Sequence, residues 1–373
     1  MASLGKLVLL MFLGALTCLC QSQEPEQCNL YCARSGSASG EPVQRRGPPG
    51  APGKQGPPGD VQQCDCCSSK GEVCQRLREL TEEVESLRTV TRRSSFRSCK
   101  EIKTSIDGSA TGLHKLVGPN GNEHTAYCDM DTDEGGWTLV ASIHENNIGS
   151  SGRCTVGDRW STEQGNVALR PNGDGNWENL NVFGNVVAAT SDDYKSPGYF
   201  EIAGRDLMIW QVPNNTPLQN YNTSTYLKYR TTNGFLSQYG GNLYHLYSEH
   251  YPIRSGVYNF PSDSGPSVPV TFDKGDANSL HQHFPPNAKS ETEPGFIQFR
   301  AISSRRYAFA LCPGVRNKPT FNYPSQSCLG STGATQGTYC GDFSGWLHDG
   351  HAVGSAWSAD QTLLSTTFLL FYR

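Results

Sequence analysis

The chain has 373 residues, 14 cysteines and a formal net charge of −4, and 36% of its residues are hydrophobic. Its length exceeds that of one average domain, and its 40 glycines and 22 prolines predict many loops and turns with modest helix. The cysteine content is typical of secreted proteins, because cytosolic thiols stay reduced. The small negative charge gives no reason to expect binding to nucleic acid or to an anionic membrane.

Residues 1–22 have the pattern of a secretory signal peptide. Lys6 precedes the apolar run 7–19, and polar residues follow. The run is too short to cross a bilayer, and cleavage would remove Cys18 and Cys20 with it. Since no later stretch is long and apolar enough for a transmembrane helix, the sequence predicts a soluble, secreted, extracellular protein.

A collagen-like segment is predicted at residues 47–61, after the polar segment 23–46. Glycine recurs at every third position from Gly47 to Gly59, giving five triplets with interspersed prolines. Only glycine fits the axis of a triple helix, and proline favours its extended left-handed chains. A flexible Gly/Pro linker is the alternative. The strict register favours the triple helix and therefore a homotrimer or a multiple of trimers.

Residues 62–97 combine a cysteine cluster with a short heptad pattern. Vicinal cysteines such as Cys66 and Cys67 rarely bridge each other, which favours interchain disulfides. Apolar residues from Val73 to Leu87, followed by Thr91, are spaced alternately by four and three residues. A short helix packed on the next domain would have the same pattern, but beside collagen we interpret it as a trimerising coiled-coil neck. The candidates for interchain disulfides are Cys28, Cys32, Cys64, Cys66, Cys67 and Cys74.

Residues 98–373, the head, are predicted to form one large α+β domain. Short apolar runs such as 199–202 and 367–372 alternate with Asn, Gly, Pro and Ser clusters, which favours strands and ordered loops over long helices. Asn214 and Asn222 begin glycosylation sequons. Six cysteines allow three disulfides with fifteen possible pairings, and they stand at positions 99, 128, 154, 312, 328 and 340.

A calcium centre is predicted between Cys128 and Trp160. The alternation in 136–143 predicts a core strand that ends in the polar residues 144–147. Calcium binds carboxylate, amide and backbone carbonyl oxygens on loops that a scaffold holds still. The strand would therefore deliver the ligands onto such a loop.

Several long motifs of the head match a known lectin family. The stretch 99–140, with GLHKLVGPNG and AYCDMDTDEGGWTLV, resembles the opening of a fibrinogen-like domain. IHENN, GRCTVGDRW, GDGNWENLNVFGN, AATSDDYKSPGYFEI, CGDFSG and LLFYR resemble the intelectins, the X-type lectins. Most intelectins lack a collagen segment, and in this feature the chain resembles the ficolins. The resemblance implies the disulfides Cys99 to Cys128, Cys154 to Cys340 and Cys312 to Cys328.

The same resemblance implies structural calcium. Carboxylates and neutral carbonyls together can fill the oxygen positions around this ion. Such residues also turn loops and cap helices, which is the alternative, but agreement at positions from distant segments favours calcium. The implied ligands, with His144 and the glycines giving backbone carbonyls, are His144, Glu145, Asn147, Gly152, Gly157, Asp158, Asp193 and Asp342.

The sugar-binding part departs from the family pattern. In intelectins a further calcium holds the exocyclic vicinal diol of a microbial sugar, with acidic ligands between the last three cysteines. Residues 312–340 contain no Asp or Glu here, so a dication would bind weakly. The aromatic and polar residues beyond Cys340 suggest a carbohydrate platform, unless the tryptophans are core residues and the histidines are solvated. The platform candidates are Trp346, His348, Asp349 and Trp357. Asn322, Tyr323 and Gln326 lie in the segment 312–340, which stands in place of the family's acidic segment and is called the replaced loop.

Catalysis is not expected. The run 330–333 lacks the spacing of a nucleophile elbow, and His281 and His283 are interpreted as exposed rather than as a metal pair. No phosphate-binding loop or zinc motif is present in the sequence. All the cysteines fit targeting or disulfides.

The leading hypothesis is a secreted, oligomeric, calcium-dependent lectin that recognises microbial surface glycans in innate immunity, with avidity supplied by the stalk. The second is a fibrinogen-like binding module with purely structural calcium that recognises acetylated sugars or a protein ligand. The third, a structural or adhesive matrix protein, rests only on the collagen-like segment, which is too short for fibres.

Overall fold

The computed structural model describes residues 96–145, 159–161, 175–254, 256–320, 322–332, 342–343, 346 and 352–373, together with 16–22, 28–34, 76 and 79–84. The chain divides into two units, Met1–Thr89 and Val90–Arg373. Among the described residues, no helix is long and apolar enough to cross a membrane.

In the first unit, strands β1 (Leu16–Ser22) and β2 (Cys28–Arg34) pair antiparallel. Residue 76 and residues 79–84 are helical, and within them Leu80 and Val84 are exposed. This helix lies inside the predicted neck. The collagen-like triplets and the cluster Cys64, Cys66, Cys67 and Cys74 lie outside the described residues, so the trimeric stalk stays a prediction.

The second unit is built around one large antiparallel sheet. Its strands are β3 (Gly112–Val117), β4 (Glu123–Asp129), β5 (Trp137–His144), β6 (Tyr194–Lys195), β7 (Leu207–Pro213) and β8 (Leu227–Arg230). To these are added β10 (Thr271–Lys274) and β16 (Thr366–Tyr372). The order across the sheet is β10-β8-β7-β16-β5-β4-β3, and β6 pairs with β5.

A smaller antiparallel sheet has the order β15-β13-β12-β9. It contains β9 (Ser267–Pro269), β12 (Phe296–Ile302), β13 (Ala308–Cys312) and β15 (Leu329–Thr332). A separate pair joins β11 (Thr292–Pro294) to β14 (Val315–Asn317).

The helices of this unit are short. None that the structure describes here exceeds the seven residues of α1. They are α1 (Cys99–Ser105), α2 (Gly198–Glu201), α3 (Tyr221–Ser224), α4 (Leu243–His245), α5 (Ala277–Gln282), α6 (Pro286–Glu291) and α7 (Gln361–Leu364). A π-helix spans Leu246–His250, and 3-10 turns span Thr132–Glu134, Val186–Ala188, Leu218–Asn220, Phe235–Tyr239 and Pro324–Ser327. The predicted α+β class is confirmed.

The two central strands explain where the core lies. Strand β16 pairs with β5 on one side and β7 on the other, and every residue of β5 and β16 is buried. Successive side chains of a strand point to opposite faces. Accordingly Phe368 and Leu370 join the larger apolar cluster, whereas Leu369 and Phe371 join the smaller one. The sheet is therefore covered on both faces.

One predicted strand is wrong. Residues 199–202 were expected to be extended, but 199–201 lie in the short helix α2 and Ile202 is its C-cap; the Tyr199 N–H donates to the carbonyl of Ser196 (3.1 Å). A short apolar run has no periodicity long enough to separate a strand from a buried helical turn.

Candidate functional site

Half of the predicted calcium ligands lie among the described residues, and all of these are buried. The exposed fractions are 5% for His144, 3% for Glu145, 1% for Asp193 and 1% for Asp342. They come from the end of β5, the residue before β6 and the segment after β15. Three carboxylates distant in sequence are thus withdrawn from water, which is costly unless hydrogen bonds or a cation compensate.

Asp193 joins two of the segments. Its Oδ1 accepts from the backbone N–H of His144 (2.8 Å), and its Oδ2 accepts from the backbone N–H of Arg159 (2.8 Å). The short strand β6 fixes this position, because Tyr194 is the register partner of Ser142 in β5. The carboxylate therefore connects the end of β5 to the segment 159–161.

Glu145 reaches the third segment. Its Oε2 accepts from the backbone N–H of Phe343 (3.3 Å), next to Asp342. Its backbone oxygen accepts from Nδ2 of Asn214 (3.3 Å), and Oδ1 of Asn214 accepts from the hydroxyl of Thr367 (2.8 Å). Glu145 is therefore held beside Asp342 and beside the end of β7.

These contacts also bear on the predicted glycosylation sites. Asn214 is half-buried and both polar atoms of its amide are engaged, whereas Asn222 is exposed. An attached glycan needs an accessible acceptor. The geometry therefore disfavours Asn214, and modification of Asn222 stays a prediction.

Sequence reasoning missed a buried lysine beside the candidate site. Lys195 is 1% exposed, and its Nζ donates to the backbone oxygens of Asn176 (2.5 Å) and Asn179 (2.7 Å) and lies 4.8 Å from the ring of Tyr199. Burial lowers the pKa of Lys195 to about 7. The side chain ties the segment 176–179 to β6, and no local pattern could have revealed this, because lysine is normally exposed.

Two tryptophans support the same region. The indole N–H of Trp160 donates to the backbone oxygen of Ser142 (2.7 Å), and that of Trp177 donates to the backbone oxygen of Trp160 (2.8 Å). Their ring centroids are 4.5 Å apart. Segment 159–161 is thereby fixed on β5, close to Asp193.

The side-chain oxygens of the described residues fit calcium, but these residues include only part of the predicted ligand set. Glu145, Asp193 and Asp342 offer the hard oxygen ligands that calcium takes. Within the described part of the chain, no group of three or more His, Cys, Asp or Glu residues is arranged to hold a metal ion. The predicted ligands Asn147, Gly152, Gly157 and Asp158, and the predicted disulfide between Cys154 and Cys340, lie outside the described residues.

The predicted sugar platform is corrected at Trp346. Its side chain is 0% exposed, and its ring centroid lies 5.5 Å from those of Phe343 and Phe368 and 5.9 Å from that of Phe284. Trp346 is a core residue, because its apolar ring is surrounded by other aromatic rings, so it offers no face to a sugar. Trp357 is half-buried, and His348 and Asp349 lie outside the described residues.

The three candidate residues of the replaced loop also differ in exposure. Gln326 is 1% exposed, whereas Asn322 is exposed and Tyr323 is half-buried. Of these three side chains, Asn322 and Tyr323 can meet a ligand directly. The loop is closed by the disulfide Cys312–Cys328, and the disulfide Cys99–Cys128 is also formed.

His281 and His283 do not form a metal pair. Nε2 of His281 lies 2.9 Å from the hydroxyl of Thr292, and Nδ1 of His283 contacts the carboxylate of Asp360. The two rings therefore serve different local contacts. Both are half-buried rather than simply exposed.

Comparison with known proteins gives limited similarity. No family model matches the chain. It is 36% identical to angiopoietin-2 of Rattus norvegicus over 58 residues, which are 15% of this chain and 11% of that protein. Among solved structures, the fibrinogen-like globe domain of human ANGPTL6 matches with a TM-score of 0.27 and 13% identity, over 74% of this chain and 95% of that one. The sequence similarity is local, and the TM-score is too low to support an argument.

Proposed function

We propose that the chain is a secreted, oligomeric, calcium-dependent lectin whose fibrinogen-like head recognises microbial surface glycans. The observation that carries this proposal is that the end of β5 contacts two distant segments with buried acids: Asp193 accepts from the backbone N–H of His144, and Glu145 accepts from the backbone N–H of Phe343, next to Asp342. Oxygen ligands brought together from distant segments are what a calcium site needs. The local similarity to angiopoietin-2 supports an extracellular recognition domain more generally.

In this proposal the described residues build the frame of the site. Asp193 holds the backbone of His144 and Arg159, and Glu145 holds the backbone of Phe343. Lys195 fixes the segment 176–179 behind them. Calcium would supply a hard positive charge that offsets the buried carboxylates and keeps these segments together.

A second candidate keeps structural calcium but binds acetylated sugars or a protein ligand. Two observations favour it. Residues 312–340 have no acidic side chain, and the ring of Trp346 is enclosed in the core. A pocket for an exocyclic diol would then lack its acidic ligands and the aromatic ring predicted at Trp346.

A glycan array probed with the full-length protein, with and without chelator, separates the two candidates. Binding to microbial sugars with exocyclic diols that is lost on chelation would support the lectin. Binding to acetylated sugars, or to no glycan, would contradict it and favour the second candidate.

The calcium frame is tested at Asp193. In Asp193→Asn one accepting oxygen becomes a donating amide, which opposes a backbone N–H, so we expect the free energy of unfolding to fall by about 2 kcal/mol. The rise in melting temperature on adding calcium should also shrink, because an ion that binds only the native state stabilises it. Asp107→Asn, on an exposed turn, is the control. An undiminished calcium shift would remove Asp193 from the site.

A further inference from the structure

One cleft of the head, of about 530 Å³, shares no lining residue with the proposed calcium site. It lies between α1, the turn 133–135, the segments beside β7 and β8, and Arg373 after β16. Its volume is within the range of small-ligand sites, about 300–1,000 Å³. The lining contains five cations, Lys100, Lys103, Arg205, Arg230 and Arg373.

The three acidic residues of the cleft are already engaged. Asp133 pairs with Arg230, and Asp206 accepts from the hydroxyl of Thr231 (2.8 Å) and the backbone N–H of Gly234 (3.0 Å). Glu134 lies 3.6 Å from Arg373 and is 88% exposed. These acids therefore offset part of the positive charge, and the cations remain in excess.

The excess charge is carried by α1 and Arg205. Within the described part of the chain, the ammonium groups of Lys100 and Lys103 have no hydrogen-bond or ion-pair partner. Arg205 is 68% exposed and makes one long ion pair, at 3.7 Å, with Asp206. A cleft lined by an excess of charge of one sign attracts ligands of the opposite sign.

The wall opposite α1 is held in one conformation. Asp133 and Glu134 have φ of 54° and 71°, a region that residues other than glycine adopt only at a cost. A Cβ on Gly135 would lie 2.0 Å from the backbone oxygen of Met130. The guanidinium of Arg373 donates to the backbone oxygen of Asp133 and lies 4.8 Å from the ring of Trp137. The wall is therefore set before any ligand arrives.

We propose that this cleft binds an acidic saccharide, with sulfate or carboxylate groups paired to Lys100, Lys103 and Arg205. Planar guanidinium groups suit both kinds of anion. The aromatic ring in the lining belongs to Trp137, which is 1% exposed. The lining thus offers charge and hydroxyl groups rather than an apolar anchor, which fits a sugar better than a peptide.

The test measures binding of three disaccharides to the full-length protein in chelator. They are a sulfated uronic-acid disaccharide, the same disaccharide without sulfate, and lactose. We expect binding of one or both acidic forms, weaker at high salt, and none of lactose. Because chelator is present, failure of the calcium proposal would leave this result unchanged. Binding by the sulfated form alone would assign the site to sulfate.

The cleft variant combines Lys100→Gln with Lys103→Gln. The control combines Lys115→Gln with Lys289→Gln and removes the same charge from exposed positions outside the cleft. The cleft variant should bind roughly fivefold more weakly, as expected for two exposed ion pairs. The proposal is overturned if both variants weaken binding equally, or if none of the disaccharides binds. Binding of lactose would also overturn it, and so would an oligoglutamate peptide that binds more tightly than either acidic sugar.

Discussion

At the scale of single residues, side-chain type was a poor guide to exposure. A tryptophan expected on a sugar platform, Trp346, lies in the core, and a lysine that the sequence analysis did not single out, Lys195, is buried beside aromatic rings. Aromatic side chains line both sugar sites and cores. Lysine can be buried when its ammonium finds carbonyl oxygens, as Lys195 does.

Trp346→Ala should destabilise the head rather than alter sugar recognition alone. Removing a fully buried aromatic ring leaves a cavity and costs about 3–5 kcal/mol. Urea unfolding measures the loss. Trp357→Ala, at a half-buried position, should cost less. Wild-type stability together with lost glycan binding in Trp346→Ala would restore the platform interpretation.

The lowered pKa values of two histidines predict that the protein is less stable in acid. Burial lowers the pKa of His124, and burial together with Lys289 and Lys318 lowers that of His281, below the ordinary value of 6.5. As pH falls through about 6.5, the unfolded chain takes up protons that the folded chain does not, so stability falls. His124→Gln with His281→Gln should flatten the melting temperature between about pH 5 and 7. A slope equal to that of the wild type would contradict this assignment.

At the scale of elements, the strands with long apolar patterns were predictable. The run 136–143 and the terminal run 367–372 became β5 and β16, whereas the four residues 199–202 became part of a helix. Backbone pairing over many residues decides a long strand. A short run is decided by what packs on it.

The disulfide Cys312–Cys328 should stabilise the smaller sheet and the replaced loop. It joins residues 16 apart, and removing that constraint from the unfolded chain corresponds to about 3 kcal/mol. The pair Cys312→Ala and Cys328→Ala should lower the free energy of unfolding by that amount in denaturant titration. The pair Cys99→Ala and Cys128→Ala, with a separation of 29, should cost about 4 kcal/mol. Unchanged unfolding midpoints would show that neither loop is constrained in this way.

At the scale of the whole molecule, the stalk hypothesis rests on the sequence alone. Gly53 is the central glycine of the five triplets, and a side chain there would not fit the axis of a triple helix. Gly53→Arg should therefore lower the oligomer mass measured by light scattering. Gly40→Arg, before the triplets, adds the same side chain and charge and should leave the mass unchanged. Equal masses for both variants and the wild type would reject the collagen-like stalk.

The sequence by itself determined the features that local pattern or long motif similarity controls. These are the α+β class of the head and the strands β5 and β16. The calcium ligands around Glu145 and Asp193 stay a prediction. It also predicted a collagen-like segment, which lies outside the described residues.

Only the tertiary structure decided what depends on residues distant in sequence. It placed Glu145 beside Phe343, Lys195 on the carbonyls of 176 and 179, and Trp346 inside the core. It also brought α1, the turn 133–135 and Arg373 around one cationic cleft. The physical reason is that burial and charge balance are set by neighbours in space, which a linear pattern does not contain.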